Sequence, residues 1–314
     1  MPGTLDFTQP ANGILSTTLL NYRKTMVNNI VLQIPLFFWL HEKKRKRLID
    51  GGQRIIVPLL YGLNTTVASY SAYGTLDTTP QEGMTVAEYN WKQYAGTLSI
   101  SRKERRQNSG EDAVINLVEA KAKQLEISLQ EQLEEDALKA TPGADDLDSV
   151  DTLVGTGTVG GIAGATLTFW QSTVTASGSF AGQGLSDMRT GYNTVSKGND
   201  APDLGLSTQT VFEYYENTLQ PQQRFTNTKL LDGGFQSLMF KGMAMTWSEK
   251  VISGYLYMLN SKYLSLDVDK ETDFVTTPFI EPTNQDAATA KLLFMGNLTC
   301  SNRKRQFKMT GITA

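Results

Sequence analysis

The feature of this sequence that most limits its possible folds is a pair of strands joined by a long polar loop. The first strand is expected over Gln53–Tyr61 and the second over Val86–Ser101, and the tip between them, 62–85, consists mainly of Thr, Ser, Gly, Asn, Tyr and Ala. Two strands of this length reach about 30 Å at ~3.3 Å per residue. A two-stranded ribbon is marginally stable on its own in water. We therefore expect the ribbon to rest on another copy of the protein, which favours assembly over catalysis.

The composition indicates a globular chain with little net charge. Its 314 residues are 40% hydrophobic and carry a net charge of −3, so a global basic field that coats nucleic acid is not expected. The single cysteine, Cys300, excludes an intrachain disulfide and is expected to be buried and inert. The apolar stretch 30–40 is about half the ~20 residues of a membrane-spanning helix and is interrupted by Pro35. We therefore expect no membrane partner.

The segments around the ribbon read as an arm and two helices. Residues 1–34 are expected to form an N-terminal arm, and 35–52 a short helix with Pro35 in its first turn, where a missing N–H costs nothing. The basic run Lys43–Arg47 is expected in the last turns of that helix, where cations suit the helix dipole. Ser109 is the expected N-cap of the second helix, which should run from Glu111 to Ala140.

This second helix is long, amphipathic and acidic. At ~1.5 Å per residue it spans about 45 Å, and it contains eight acidic residues and three lysines. The acids are expected to face solvent or a partner. One apolar stripe at helical spacing defines its buried side. The residues of this stripe are Val114, Leu117, Val118, Leu125, Leu129 and Leu133.

The rest of the chain predicts loops and short elements. Residues 145–184 are rich in Gly, Thr and Ser and should form loops or short strands, and helices are expected at 185–195 and 211–219. Strands are expected at 203–207, 239–245, 255–259, 264–267, 291–299 and 303–312.

Catalytic and cofactor motifs are not expected in this chain. The one histidine, His41, has no nucleophile near it in sequence, and one Cys with one His cannot make a zinc site. Gly155–Gly160 matches G-x-G-x-x-G, but neither the required strand before it nor the helix after it is predicted, so we expect a flexible loop. We predict that the chain is not an enzyme and binds no cofactor or metal.

Three basic clusters remain to be explained. They are Lys43, Lys44, Arg45, Lys46 and Arg47, then 102–106, then 303–305. Each could contact phosphates, or pair with acidic patches on the same or a neighbouring copy. The second interpretation is favoured because aromatic residues do not interleave with the clusters as a base-stacking platform requires.

The order of these segments, together with several short stretches, resembles the Hong Kong 97-type major capsid proteins of tailed bacteriophages. The likeness runs from about residue 25 to the end. The stretches are Val159-Gly-Gly-Ile162 with Phe169-Trp-Gln171, Ala201-Pro-Asp-Leu204, Thr210-Val-Phe-Glu-Tyr-Tyr-Glu216, Gly234-Phe-Gln-Ser-Leu-Met-Phe-Lys-Gly242, Tyr257-Met-Leu-Asn-Ser-Lys-Tyr-Leu264 and Gly296-Asn-Leu-Thr-Cys-Ser-Asn302.

The resemblance implies an α+β capsid fold with an N-terminal arm, an extended hairpin called the E-loop, a spine helix, a peripheral domain and an axial domain. It places the E-loop at 53–107, the spine helix at 108–144, the axial domain at 145–285 and returning peripheral strands at 286–314. The tip residues implied to touch a neighbouring subunit are Thr65, Tyr70, Tyr73 and Asp77. The residues implied to face DNA or an acidic patch are Lys43, Lys44, Arg45, Lys46 and Arg47.

The implied function is a shell protein that forms pentamers and hexamers of an icosahedral head. Its implied partners are other copies of itself, a portal, packaged double-stranded DNA and, as an option, cement proteins. The implied location is the virion capsid, after assembly in the host cytoplasm. The short arm before Ile30 favours a separate scaffold protein over a fused one.

One departure from the type member concerns the covalent weld. That member joins subunits by Lys–Asn isopeptide bonds through a hairpin lysine, whereas here the sequence between Leu48 and Trp91 contains no lysine. We therefore expect no weld through the tip. An encapsulin-type nanocompartment shell, a nucleic-acid-binding monomer and an enzyme remain as alternatives.

Overall fold

The computed structural model describes residues 35–107, 117–219, 237–282 and 285–314. The expected N-terminal arm, the expected N-cap Ser109 and Val114 of the apolar stripe lie outside the described residues. The described chain is built of helices and sheets, so the predicted α+β class is confirmed.

The short helix α1 is Pro35–Glu42, and it ends earlier than expected. Pro35, Leu36, Trp39 and Leu40 are buried, and Lys44 takes a positive φ of 56° just beyond the end of α1. The chain then enters strand β1, Lys46–Ile49. The prediction that Lys43–Arg47 lies in the last turns of a helix was therefore wrong, because parallel pairing of β1 with a later strand outweighs local helix preference.

The predicted second strand of the ribbon is two strands. Strand β2, Ile55–Leu60, pairs in antiparallel fashion with β3, Met84–Tyr89. After Asn90 and Trp91 the chain continues as β4, Lys92–Ser101, which pairs with a different strand. Only six residues on each side, about 20 Å at ~3.3 Å per residue, therefore belong to the two-stranded ribbon.

The first large sheet has five strands in the order β1, β12 (Leu264–Asp269), β14 (Ala287–Cys300), β13 (Val275–Thr276), with β4 on the other side of β14. Strand β4 matches β14 over ten residue pairs, from Lys92 opposite Gly296 to Ser101 opposite Ala287. Helix α2, Arg102–Gln107, follows β4 directly.

The long helix α3, Leu117–Leu138, packs on this sheet. Leu129 and Leu133 of the predicted stripe are buried, whereas Val118 is 41% exposed. Gly96 on β4 allows the close approach, because a Cβ there would lie 2.4 Å from Leu125 Cδ1.

The second large sheet has six strands, in the order β7 (Thr173–Ala176), β15 (Phe307–Thr310), β11 (Leu256–Leu259), β8 (Leu204–Ser207), β10 (Met243–Trp247), β9 (Leu238–Phe240). Helices α5, Leu185–Val195, and α6, Gln209–Thr218, pack near it over a core that contains Met188, Tyr215 and Phe307. The predicted helix at 185–195 is confirmed. The smaller elements are helix α4 (Val150–Leu153) and the hairpin β5 (Thr158–Val159) and β6 (Ile162–Ala163).

The expected domains, 145–285 and 286–314, stay predictions, and each range contributes strands to both large sheets. Strand β12, inside the first range, pairs with β14 in the five-stranded sheet, and β15, inside the second range, lies in the six-stranded sheet. The chain passes between the two sheets several times. The alternation of apolar and polar residues within one strand does not indicate which sheet that strand joins.

A buried arginine ties the G-x-G-x-x-G loop to the C-terminal strands. Arg303 is fully buried, and its guanidinium donates to five backbone carbonyls at 2.7–3.2 Å. The acceptors are the carbonyl oxygens of Thr152, Leu153, Gly155, Gly157 and Trp170. The loop that we expected to be flexible thus surrounds a cation with carbonyl oxygens, which is the opposite of a phosphate cradle.

Candidate assembly surface

The ribbon has two apolar faces, and its own chain covers one of them. On β2, Ile55, Val57 and Leu59 are buried in the main core, and alternate residues point outward. The outward residues Ile56, Leu60, Met84 and Val86 are 61%, 76%, 82% and 46% exposed. Side chains alternate between the faces of a strand, and Leu60 lies opposite Met84 in the register. The outer face is thus mainly apolar, with Glu88, which pairs with Arg54, opposite Ile56 at its base. We call it the outer ribbon face.

The base of the ribbon is anchored firmly to the subunit. Tyr89 donates from its hydroxyl to the Cys300 carbonyl at 2.8 Å, and Tyr61 stacks on Phe169 with 4.6 Å between ring centroids. Gly160, at φ 61°, lets its carbonyl accept from the Glu88 N–H at 3.0 Å. A Cβ on Gly160 would lie 2.8 Å from the Cβ of Ala87. These contacts fix the direction in which the ribbon leaves the subunit.

The tip beyond the ribbon holds its shape through local hydrogen bonds. Tyr61 N–H donates to the Gly83 carbonyl at 2.9 Å, so the two chains of the tip start side by side. Within it Asn64 accepts from the Thr66 N–H at 2.8 Å and Asp77 accepts from the Thr79 N–H at 3.0 Å. Such Asx turns shape a loop without a core. The large side chains Leu63, Val67, Tyr70, Tyr73 and Leu76 are all more than half exposed.

The four predicted tip residues take different positions. Tyr70 and Tyr73 are 68% and fully exposed, and so are available for contact. Thr65 donates to Gln81 Oε1 at 2.8 Å across the loop. Hydrogen bonds from Thr79 hold the pKa of Asp77 below its ordinary value. Thr65 and Asp77 therefore shape the tip within the subunit, and whether any of the four contacts a neighbour stays a prediction.

The first basic cluster is partly neutralised inside the subunit. Arg47 makes two hydrogen bonds of 2.6 Å to the buried carboxylate of Asp267, and Lys46 Nζ lies 2.7 Å from Asp273 Oδ1. Lys43 Nζ lies 3.1 Å from Asp203. Pairing with carboxylates of the same copy, one of the two interpretations, therefore accounts for Lys46 and Arg47, while Lys44 is exposed to solvent.

Two acids of the long helix, Glu134 and Asp136, are buried, contrary to the expected solvated face. Glu134 is 1% exposed and its Oε1 lies 3.4 Å from the backbone N of Leu36, at the start of α1. Burial raises the pKa of Glu134 to about 8, although the N–H groups of Leu36 and Phe37 oppose the rise. Sequence periodicity could have indicated this, because Glu134 lies seven positions after Ile127 and four before Leu138, and both of these residues are buried. Its neighbours Glu131 and Glu135 pair with Lys250 on the surface at 3.4 and 2.9 Å.

Within the described residues, no group of three or more His, Cys, Asp or Glu side chains could hold a metal ion. The single cysteine, Cys300, is buried, and burial raises its pKa to about 12, so its thiol stays protonated at neutral pH. Among the described helices, none combines the length and the apolar character needed to cross a bilayer.

Solved structures of shell proteins share this fold over nearly the whole chain. A cyanophage A-1(L) capsid chain is 14% identical with a TM-score of 0.69, and the match covers 93% of this chain and 96% of that one. The capsid of a native GTA particle is 9% identical with a TM-score of 0.63, covering 98% and 100%. An SrpI encapsulin from Synechococcus elongatus is 10% identical with a TM-score of 0.61, covering 95% of both chains.

No family model matches the sequence, and no curated protein matches it significantly. At identities of 9–14% the structural likeness establishes the fold. The chain has the α+β fold of Hong Kong 97-type capsid proteins, as its sequence resemblance predicted.

Proposed function

We propose that this chain is the major capsid protein of a tailed-phage head, which assembles into pentamers and hexamers of an icosahedral shell around double-stranded DNA. The observation that carries the proposal is the outer ribbon face. It is mainly apolar, it projects from a firmly anchored base, and the described chain does not cover it. The fold shared with phage capsid chains adds support.

The outer ribbon face is suited to side-chain contact with a neighbouring copy. Pro58 sits in the middle of β2 and has no N–H, so the ribbon is poorly suited to extension by a further strand. Burial of a Leu or Met side chain stabilises by about 1.5–3 kcal/mol. A contact in which the ribbon of one copy lies on a different surface of the next is heterologous, and such contacts close into rings.

The partners and location follow from this proposal. Other copies of the chain form the capsomers, and a portal, a separate scaffold protein and packaged DNA complete the head, with cement proteins as an optional addition. The protein is placed in the virion capsid, after assembly in the host cytoplasm. The chain acts as a structural protein, and no reaction is assigned to it.

One experiment separates the proposed function from two alternatives, an encapsulin-type shell and a nucleic-acid-binding monomer. The chain is expressed alone and with the protein encoded beside its gene, and the products are examined by gel filtration, negative-stain microscopy and extraction of nucleic acid. Icosahedral shells support the proposal, and DNA in shells recovered from virions supports the phage assignment. Shells that enclose a protein cargo favour the encapsulin alternative, and a monomer that never assembles refutes both.

A tip deletion tests the role of the hairpin more sharply. The tip joins the ribbon at Gly62 and Gly83. These two residues lie so close together that a Cβ on Gly62 would be 3.3 Å from Gly83 Cα. Removal of 63–82 therefore leaves the three-residue loop Tyr61-Gly62-Gly83 between the paired residues Leu60 and Met84, which is a common hairpin loop length. We expect a soluble, folded subunit that does not form stable shells, and normal shells would refute the proposed role of the tip.

A further inference from the structure

Two basic clusters that lie about 260 positions apart in the sequence meet on one surface of the fold. The segments 43–45 and 303–305 are joined there by 197–203 and by the turn 260–263, and two aspartates link these segments. We call this the composite basic surface.

Asp203 joins the first cluster to the 260–263 turn. Its carboxylate pairs with Lys43 at 3.1 Å and accepts from the backbone N–H and the hydroxyl of Ser261 at 2.9 and 2.7 Å. Lys262 follows Ser261 directly and is exposed, with its ammonium 5.5 Å from the ring centre of Tyr263.

Asp200 joins the same turn to the second cluster. It accepts from Asn260 Nδ2 at 3.0 Å and from the Tyr263 hydroxyl, and Arg305 Nε lies 3.7 Å away. Burial opposes ionisation of Asp200, but the hydrogen bonds from Tyr263 and Asn260 outweigh it and hold the pKa below its ordinary value. Asp200 is therefore ionised at neutral pH, and the carboxylates of both aspartates already have partners within the chain.

The surface carries a large excess of positive charge. Five lysines along these segments are exposed and two arginines are half-buried, against the two aspartates, which leaves 7 − 2 = +5 on a chain whose total is −3. The lysines are Lys43, Lys44, Lys197, Lys262 and Lys304, and the arginines are Arg45 and Arg305.

We propose that the composite basic surface binds the phosphate backbone of double-stranded nucleic acid without reading its sequence. A duplex presents one negative charge per ~1.7 Å of axis, and this density suits lysines that are spread over four segments. The aromatic ring at the surface, Tyr263, lies under Lys262 and donates its hydroxyl to Asp200, so base stacking is not its role. This inference rests on the proposed function for the identity of the nucleic acid, and it moves the expected DNA contact away from Lys46 and Arg47, whose charges are paired.

The test compares two variants that each lose three exposed lysines. Lys44→Gln, Lys262→Gln and Lys304→Gln together remove charge from the composite basic surface. Lys123→Gln, Lys270→Gln and Lys291→Gln remove the same charge elsewhere, outside the three basic clusters. Binding of the full-length protein to a random-sequence DNA duplex is measured by fluorescence anisotropy over a range of salt concentrations, with polyglutamate as a competing polyanion.

Loss of three phosphate contacts should make the negative slope of log K against log salt shallower by about 2.7, at ~0.9 per contact. The matched control should retain most of the wild-type slope. Three results would each overturn the inference. They are equal slopes for the two variants, binding by the wild type that does not depend on salt, and a preference of the protein for polyglutamate over the duplex. Shell formation by the first variant, seen by microscopy, keeps this outcome distinct from failure of the proposed function, in which the wild type forms no shells.

Discussion

The substitution Arg303→Lys is expected to destabilise the subunit strongly, although it conserves charge. The guanidinium satisfies five backbone carbonyls with all of its N–H donors; the bonds to Leu153, Gly155 and Trp170 are buried and those to Thr152 and Gly157 are partly buried. It lies 5.8 Å from the centre of the Trp170 ring. A lysine ammonium has three donors on a single nitrogen, so at least two carbonyls lose their partner.

The magnitude follows from the count of unpaired groups. Each buried acceptor without a partner costs about 1–3 kcal/mol, and a partly buried one costs less because water can replace the lost donor, which gives a loss of about 1–6 kcal/mol for Arg303→Lys. This loss is a substantial part of a typical domain stability of about 5–15 kcal/mol. Arg303→Met leaves all five carbonyls unpaired and is expected to cost more.

Urea unfolding followed by tryptophan fluorescence measures this effect, because Trp170 lies against the substituted side chain. The matched control is Lys304→Met, since Lys304 is adjacent and exposed, and a surface substitution of this kind changes stability by about 0.5 kcal/mol or less. An Arg303→Lys protein within about 1 kcal/mol of wild type would refute the assignment of the carbonyl cradle as a main support of the fold.

Three further predictions concern the buried acid, the ribbon anchor and the tip. Because burial raises the pKa of Glu134 to about 8, the folded state holds its proton where the unfolded state has released it, so stability should fall as pH rises from about 4.5 to 8. Glu134→Gln should flatten this dependence in urea unfolding, and an unchanged pH profile would contradict the burial of the carboxyl. Gly160→Ala should destabilise the subunit by about 1–2 kcal/mol, because of its positive φ and contact with Ala87. Gly157→Ala, where nothing lies within 4 Å, should cost less, and equal thermal shifts would argue against the anchor. Denaturing electrophoresis of purified particles should show single subunits, and ladders dependent on the hairpin would refute the absence of a weld through it.

The sequence predicted local elements well where one periodic pattern governs a segment. Helix α5 was located to the residue, and α3 was located over its described part, where it ends two residues before the expected Ala140. The failures occurred where distant pairing decides the outcome. Strand β1 forms because it pairs in parallel with β12, which lies more than 200 residues away in the sequence. The ribbon ends at Tyr89 because the next strand, β4, pairs with β14.

The position of the polar tip could be predicted from the sequence, but the exposed apolar face of the ribbon could not. A polar, coreless tip was visible in the sequence, whereas the outer ribbon face was not, because β2 reads as an unbroken apolar run, IIVPLL, with no alternation. Such a run is typical of a strand that is buried on both faces, whereas in the subunit one face of β2 is exposed. The basic run Lys43–Arg47 likewise gave no sign of which cations pair with Asp203, Asp267 and Asp273.

The most direct test of the shell assignment is assembly of the double variant Leu60→Asp and Met84→Asp. Both side chains point into solvent in the subunit, at 76% and 82% exposure, so subunit stability should change by about 0.5 kcal/mol or less. The control exchanges the two residues, Leu60→Met and Met84→Leu, and keeps the face apolar. Gel filtration and negative-stain microscopy should show shells for the wild type and the exchange variant, and folded, unassembled subunits for the double Asp variant. Normal shells from the double Asp variant would contradict the account.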